Sequence, residues 1–119
     1  MPVRSLSSSV LRWPDARQVD DALRQWIGRV GPRREDLRRL GYFGSYARGD
    51  WGVGSDLDVV IVLERSDEPF ERRGAAWDLT GLPVPVDLLV YTLEEWERLS
   101  AEGRFRRMRD EVIWVWPQS

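Results

Sequence analysis

Two aspartates at the start of an apolar stretch are the residues best suited to chemistry. Asp56-Leu57-Asp58 is followed by an aliphatic run from Val59 to Leu63. Because side chains two residues apart on a strand share a face, Asp56 and Asp58 are predicted to point the same way. Adjacent carboxylates repel each other and lose hydration, and a divalent cation is the simplest group that makes such a pair favourable. The pattern therefore predicts a metal site.

A glycine-serine pair precedes these aspartates at a fixed distance, with ten residues between Ser45 and Asp56. Gly44 has no side chain and lets the backbone come close to a ligand. Ser45 is a favourable N-cap, and a short helix is predicted through Arg48. Free N–H groups at the start of a helix attract anions. The pair therefore predicts an anion site beside the metal site.

The residue types that are missing narrow the chemistry. The chain has no Cys and no His, which excludes thiol nucleophiles, histidine bases and zinc sites of the usual kind. All 18 basic residues are Arg, so a P-loop lysine and Schiff-base chemistry are excluded as well. Carboxylates, hydroxyls, Arg and backbone amides remain, and these suit hard metal ions and phosphates.

The spacing of these residues resembles the signature of the DNA polymerase beta-type nucleotidyltransferase superfamily. The signature is Gly44-Ser45, ten residues, then Asp56-x-Asp58. The version GSYARG followed by SDLDV also resembles the minimal nucleotidyltransferases, which are partners of HEPN-domain proteins. The resemblance implies an α/β fold, a small mixed sheet flanked by helices, and transfer of a nucleoside monophosphate from a triphosphate.

A third aspartate, Asp87, lies within the apolar segment 84–90. A carboxylate there is costly unless it is paired or bound to a metal, and a buried salt bridge with an arginine is the other explanation. The resemblance implies a third catalytic aspartate on this strand, a role that falls on Asp87. Asp78 is excluded because it is predicted to lie in a helix.

The resemblance also implies the roles of the site residues. Mg²⁺ would be held by Asp56, Asp58 and Asp87, and ATP would be the substrate. Gly44 and Ser45 would hold the β- and γ-phosphates. Arg48 would neutralise phosphate charge. Asp87 would help to take the proton from the attacking hydroxyl.

Length and charge describe the chain as a whole. Its 119 residues suit one domain, with residues 1–12 expected to form a mobile arm that docks through Leu6, Val10 and Leu11. Net charge is −2, so no strong field draws the molecule to nucleic acid or membrane. No signal peptide or membrane span is apparent, which predicts a cytoplasmic protein.

Periodicity and capping signals predict the secondary structure. Helices are predicted at 15–30, with an Asp15 and Gln18 capping box, and at 68–79 and 93–101, the last with a capping box and an end at Gly103. Residues 104–110 are predicted as a helical turn. Strands are predicted from Leu37, at 56–63, at 84–91 and at 112–116.

Three features admit two explanations each. Arg33, Arg34, Arg38 and Arg39 could form a phosphate patch or a solvated surface with nearby acids. Trp51 could stack on a nucleobase or cover the edge of the sheet. The last strand is apolar on both faces, so either both faces are covered or one is an interface.

Three functions follow from the resemblance. The first is an enzyme that transfers AMP to a hydroxyl of a HEPN-domain toxin, as the antitoxin of the pair. The second is a small-molecule nucleotidyltransferase of the aminoglycoside type, with a homodimer closing the pocket. The third is a non-catalytic protein that neutralises a toxin by contact. The first is favoured because little of the chain remains to enclose a small ligand. Docking is expected near Trp114 and Trp116, or near Leu11 and Trp13.

Overall fold

The computed structural model of the protein describes residues 13–118, apart from the side chain of residue 104. The expected arm at residues 1–12, with its docking role for Leu6, Val10 and Leu11, lies outside the described residues. The helices are α1 (Ala16–Val30), α2 (Ser45–Arg48), α3 (Phe70–Arg73), α4 (Leu93–Ser100) and α5 (Gly103–Glu111). The strands are β1 (Leu37–Phe43), β2 (Leu57–Leu63), β3 (Val86–Thr92) and β4 (Ile113–Trp116).

The four strands form one mixed sheet in the order β3-β2-β1-β4. β1 pairs with β2 and with β4 in antiparallel fashion, and β2 pairs with β3 in parallel. β2 is therefore an inner strand with helices on both sides, which explains its unbroken aliphatic run. The predicted mixed α/β architecture is confirmed.

Alternate residues of β2 enter two separate clusters of the core. Val59 and Ile61 pack in the cluster that contains Trp26 of α1. Val60 and Val62 pack in the cluster that contains Trp96 of α4. Since Asp58 shares the parity of Val60, its side chain belongs to the face covered by α4 and α5.

Both predicted capping boxes are present. The Asp15 carboxylate accepts a hydrogen bond from the backbone N–H of Gln18, and the Gln18 side-chain oxygen accepts one from the backbone N–H of Asp15. Helix α1 therefore begins where the sequence indicates. The Thr92 hydroxyl and the Glu95 carboxylate do the same at the start of α4. These caps satisfy backbone N–H groups that have no partner within the helix.

The helix predicted at 68–79 is wrong in length. Only the single turn of α3 and a 3₁₀ turn over Gly74–Ala76 form there. Trp77 leaves the helix in an extended conformation and packs against Trp26, while Phe70 packs against Tyr91. The two aromatic residues thus serve opposite faces of the sheet, which a single continuous helix could not allow.

Two smaller predictions of secondary structure are also wrong. Gly103 begins α5 and does not merely end α4, because Glu102 is already the N-cap of α5. Asp78 lies outside any helix, and its backbone carbonyl accepts a hydrogen bond from the Trp26 indole at 2.8 Å. Asp78 remains excluded from the site, but the reason is its position in a loop on the α1 side.

Within residues 13–118, no helix combines the length and the apolar character needed to cross a bilayer.

Candidate active site

Two of the three predicted aspartates, Asp58 and Asp87, lie on neighbouring parallel strands. Asp58 is the second residue of β2, and Asp87 is its direct partner in the register of β2 and β3. Asp56 lies just before β2 and is exposed, as is Asp87, while Asp58 is half-buried. Because partners in register project from the same face of a sheet, Asp58 and Asp87 are side by side. The sequence placed Asp87 on a strand, and the sheet brings it next to Asp58.

The charges of the two neighbouring aspartates act on the carboxylate of Asp58. The pKa of Asp58 is raised, first because partial burial removes water from the carboxylate, then because Asp87 and Asp56 add negative charge. Arg48 acts in the opposite direction. Repulsion of this kind is relieved when a cation binds between the carboxylates.

The donor set has the chemistry of a site for a hard cation, since carboxylate oxygens are the ligands that Mg²⁺ prefers. Among residues 13–118, however, no three carboxylates converge closely enough to form a preorganised metal cage. The residues are neighbours, and their side chains would have to turn towards a shared ion. A three-aspartate metal site therefore stays a prediction.

The turn after β1 brings the backbone against Asp58. Gly44 has φ of +78°, and a Cβ built on it would overlap the Asp58 carboxylate. Glycine is thus required here both by conformation and by space. Gly44 is also the N-cap of α2 and makes no side-chain cap, so the prediction that Ser45 caps this helix is wrong. Ser45 is instead the first residue of α2.

The amide of Gly44 and the side chain of Arg48 meet at a carboxylate that the sequence analysis missed. Gly44 N–H donates to Glu111 Oε2 at 2.7 Å, and Arg48 Nη1 donates to Glu111 Oε1 at 3.0 Å. Arg48 also pairs with Asp50 at 3.1 Å. Two of the predicted phosphate-binding residues are therefore brought together, and they hold an anion of the chain itself.

Comparison with known proteins identifies the family. The family model for the nucleotidyltransferase domain matches residues 24–111, which include the whole of the geometry described above. The chain belongs to the nucleotidyltransferase domain family. No curated protein sequence matches it. The protein is accordingly a nucleotidyltransferase, an enzyme that transfers nucleotidyl groups.

A solved structure supports the fold of this nucleotidyltransferase. A protein from Sulfolobus solfataricus, named a presumed nucleotidyltransferase and solved at 1.40 Å, is 22% identical with a TM-score of 0.55. The similarity covers 70% of this chain and 75% of that chain. The mixed sheet and its flanking helices are therefore an arrangement that the two proteins share.

Three aromatic residues of this nucleotidyltransferase, Trp13, Tyr46 and Trp51, contact one another. Trp51 is half-buried and stacks on Tyr46, with ring centroids 5.7 Å apart and planes 7° apart. Trp13 donates from its indole nitrogen to the Tyr46 hydroxyl at 2.8 Å. One face of Trp51 thus packs on Tyr46 within the chain, so that face does not stack on a nucleobase.

The arginine-rich segment 33–39 lies away from the aspartates. Arg34 pairs with Asp36 and lies over Trp77, Arg38 approaches Glu64 at 3.6 Å, and Arg39 lies over Trp114. These contacts favour the explanation in which the arginines form a solvated surface with nearby acids.

A cavity of about 440 Å³ lies at the far end of β2, where Leu63, Arg65 and Trp77 contribute to its lining. Asp58 is at the opposite end of the same strand. The cavity is therefore separate from the aspartates.

Proposed function

We propose that this nucleotidyltransferase transfers AMP from ATP, with Mg²⁺, to a hydroxyl group of a partner protein. The observation that carries the proposal is the placement of Asp58 and Asp87 in register, directly against the Gly44 turn. The carboxylates of Asp58 and Asp87 could bind a cation, and they lie close to the Gly44 turn. The backbone amide of this turn and the nearby Arg48 guanidinium are groups that could bind phosphate. That combination suits the binding of a metal–triphosphate complex.

The roles in this proposal follow from position. Asp56, Asp58 and Asp87 would hold Mg²⁺, which supplies stabilisation of charge on the phosphates. The Gly44 amide, the Ser45 hydroxyl and the Arg48 guanidinium would bind the β- and γ-phosphates.

The acceptor oxygen attacks the α-phosphorus, and the bond from the α-phosphorus to the bridging oxygen breaks. Pyrophosphate leaves with that oxygen and its electron pair. Asp87 is exposed and adjacent to Asp58, and in this proposal its carboxylate would take the proton that the hydroxyl loses.

A protein acceptor is supported by the exposure of the site. Asp56 and Asp87 lie at the surface, and small-molecule sites usually bury most of their ligand. A partner that brings its own hydroxyl would cover the aspartates on docking. The resemblance of GSYARG and SDLDV to the minimal nucleotidyltransferases suggests a HEPN-domain toxin and a tyrosine as acceptor. This pair would work as toxin and antitoxin in the cytoplasm.

The expected docking surface near Trp114 and Trp116 is partly used within the chain. Trp114 lies edge-on against Trp96 and beneath Arg39, and Trp116 lies against Gly31. Both tryptophans remain half-buried. A partner would therefore meet their remaining exposed edges, or would dock near Trp13 instead.

The test uses the full chain, α-labelled ATP, Mg²⁺ and the protein that co-purifies from the native cell. We expect a mass gain of one adenylyl group on a partner tyrosine, lost with chelator and in Asp58→Asn. Asp67→Asn, an exposed carboxylate beyond the other end of β2, is the matched control and should retain transfer. Label on a small molecule alone would support the aminoglycoside-type function. Tight partner binding without transfer would support the non-catalytic one.

A further inference from the structure

Glu111 is the last residue of α5 and reaches the phosphate-binding turn from 67 residues away. Its side chain is only 14% exposed. One carboxylate oxygen accepts from Gly44 N–H at 2.7 Å and the other from Arg48 Nη1 at 3.0 Å. The carboxylate thus bridges a backbone amide and a guanidinium, the same pair of donors that a phosphate oxygen would use.

The position of Glu111 has an electrostatic cost. Its negative charge adds to that of Asp87 and Asp56 in raising the pKa of Asp58. A further carboxylate near Asp58 is unfavourable unless donors hold it there. Gly44 N–H and Arg48 are the donors seen to do so, and a polyphosphate offers them more negative oxygens than a single carboxylate can.

We propose that Glu111 is a specificity-determining residue, an internal anion that the β- and γ-phosphates of the nucleotide must displace. The proposal rests on the proposed function, in which Gly44 and Arg48 bind those phosphates. Displacement costs the same for any ligand that uses these donors. It costs nothing for a ligand that ends at the α-phosphate and does not reach them.

The substitution Glu111→Gln tests the proposal with little change of shape. Glutamine keeps an oxygen that can accept from Gly44 N–H but removes the charge that competes with phosphate. The probes are inorganic tripolyphosphate, AMP, and an ATP analogue with a methylene group between the α- and β-phosphates, which cannot transfer AMP. Binding of each to the full chain is measured by calorimetry with Mg²⁺ present.

We expect Glu111→Gln to bind the analogue and tripolyphosphate about fivefold more tightly than the wild type, the scale of one removed like-charge contact near water. AMP affinity should be unchanged. Asp50→Asn is the matched control, since Asp50 also pairs with Arg48 but makes no contact with Gly44 N–H. It should alter tripolyphosphate affinity less than twofold.

Equal or weaker binding of tripolyphosphate by a folded Glu111→Gln variant would overturn the inference and make Glu111 a residue that supports the turn. If neither protein bound the analogue or tripolyphosphate, the proposed function itself would fail, and the inference with it. A second measurement avoids the variant altogether. The carboxyl ¹³C resonance of Glu111 in the wild type should shift on saturation with tripolyphosphate, and a resonance that stays unchanged would contradict displacement.

Discussion

Gly44 combines an unusual backbone conformation with a close contact to the candidate active site. Its positive φ and the overlap that a Cβ would make with Asp58 act together. Gly49 has φ of +88° with nothing within 4 Å of a built Cβ, so it isolates the conformational part. The two glycines form a natural pair for measurement.

We expect Gly44→Ala to lower the free energy of unfolding by about 2–4 kcal/mol, from strain and steric overlap combined. Gly49→Ala should cost only about 1 kcal/mol, from the left-handed conformation alone. Urea unfolding followed by circular dichroism measures both. Equal losses would show that the Asp58 carboxylate moves aside freely and that Gly44 is needed for its conformation only.

The ionised Asp58 carboxylate is expected to lower the free energy of unfolding. Its raised pKa means that the folded state holds a proton more tightly than the unfolded state. The free energy of unfolding therefore falls as pH rises from the ordinary aspartate range through the raised pKa. In metal-free buffer at neutral pH, Asp58→Asn and Asp56→Asn should be as stable as the wild type or more stable, by up to about 1 kcal/mol.

The measurement is thermal unfolding of each variant against pH with chelator present. Asp58→Asn should lack the loss of stability seen in the wild type on leaving the acidic range. Clear destabilisation of both variants without metal would mean that these aspartates hold the fold together.

Ser45 is expected to contact the terminal phosphates, and this stays a prediction. As the first residue of α2, directly after Gly44, it lies beside the amide that binds Glu111. Ser45→Ala should weaken ATP more than AMP, by about three- to tenfold, the value of one hydrogen bond. Calorimetry with both ligands checks this, and an equal loss for the two would place Ser45 elsewhere.

At the scale of elements, one ion pair joins α3, β3 and α4. Arg73 is buried, donates to the Val90 carbonyl at 3.1 Å and forms two hydrogen bonds to Glu95, at 2.6 and 3.2 Å. The Arg73 hydrogen bond is the main reason that the pKa of Glu95 is lowered. The contact fixes the crossover between the parallel strands that carry Asp58 and Asp87.

We expect Glu95→Gln to lose about 1–3 kcal/mol at neutral pH, because a charged hydrogen-bonded partner of a buried guanidinium is removed. A lowered pKa contributes stability above the ordinary glutamate range, and that stability is lost as pH falls through the folded-state pKa. The difference between wild type and variant should therefore shrink in acid. Glu94→Gln, whose side chain is 87% exposed, should change little at any pH.

A constant difference between wild type and Glu95→Gln across the acidic range would contradict this account. It would mean that shape at position 95, and not charge, holds α3 against α4.

At the scale of the whole molecule, the sheet separates two clusters of the core that share one strand. Trp26 and Trp77 belong to one cluster, and Trp96 belongs to the other. β2 contributes alternate residues to both, so neither cluster can be lost while the other stays intact. The described residues should behave as a single cooperative unit.

Unfolding by urea should therefore give the same midpoint by circular dichroism and by tryptophan fluorescence. Trp26→Phe removes a fluorophore from one face of the sheet, and Trp96→Phe removes one from the other face. Within each variant, the midpoints from circular dichroism and from fluorescence should still agree. Midpoints that separate in either variant would show that one face of the sheet opens independently.

Local signals in the sequence determined several short structural features of this protein. Three features depend only on neighbours within a few residues. They are the Asp56-x-Asp58 pair before its aliphatic run, the two capping boxes, and the glycine before Ser45. Such features are set by backbone sterics and short hydrogen bonds, which act wherever the segment is placed. The resemblance carried by Gly44-Ser45 and Asp56-x-Asp58 then implied the mixed sheet and the nucleotidyltransferase family.

Tertiary structure decided the rest. Trp77 left its predicted helix because burial beside Trp26 outweighs the weak helix preference of a segment containing Gly74. Asp87 became a neighbour of Asp58 only through the parallel register of β2 and β3. Glu111, in a charged run without any local mark, meets Gly44 N–H only because α5 and the turn after β1 end at the same place. Contacts between distant segments leave no periodic trace in the chain, and Glu111 by itself looks like an ordinary surface residue.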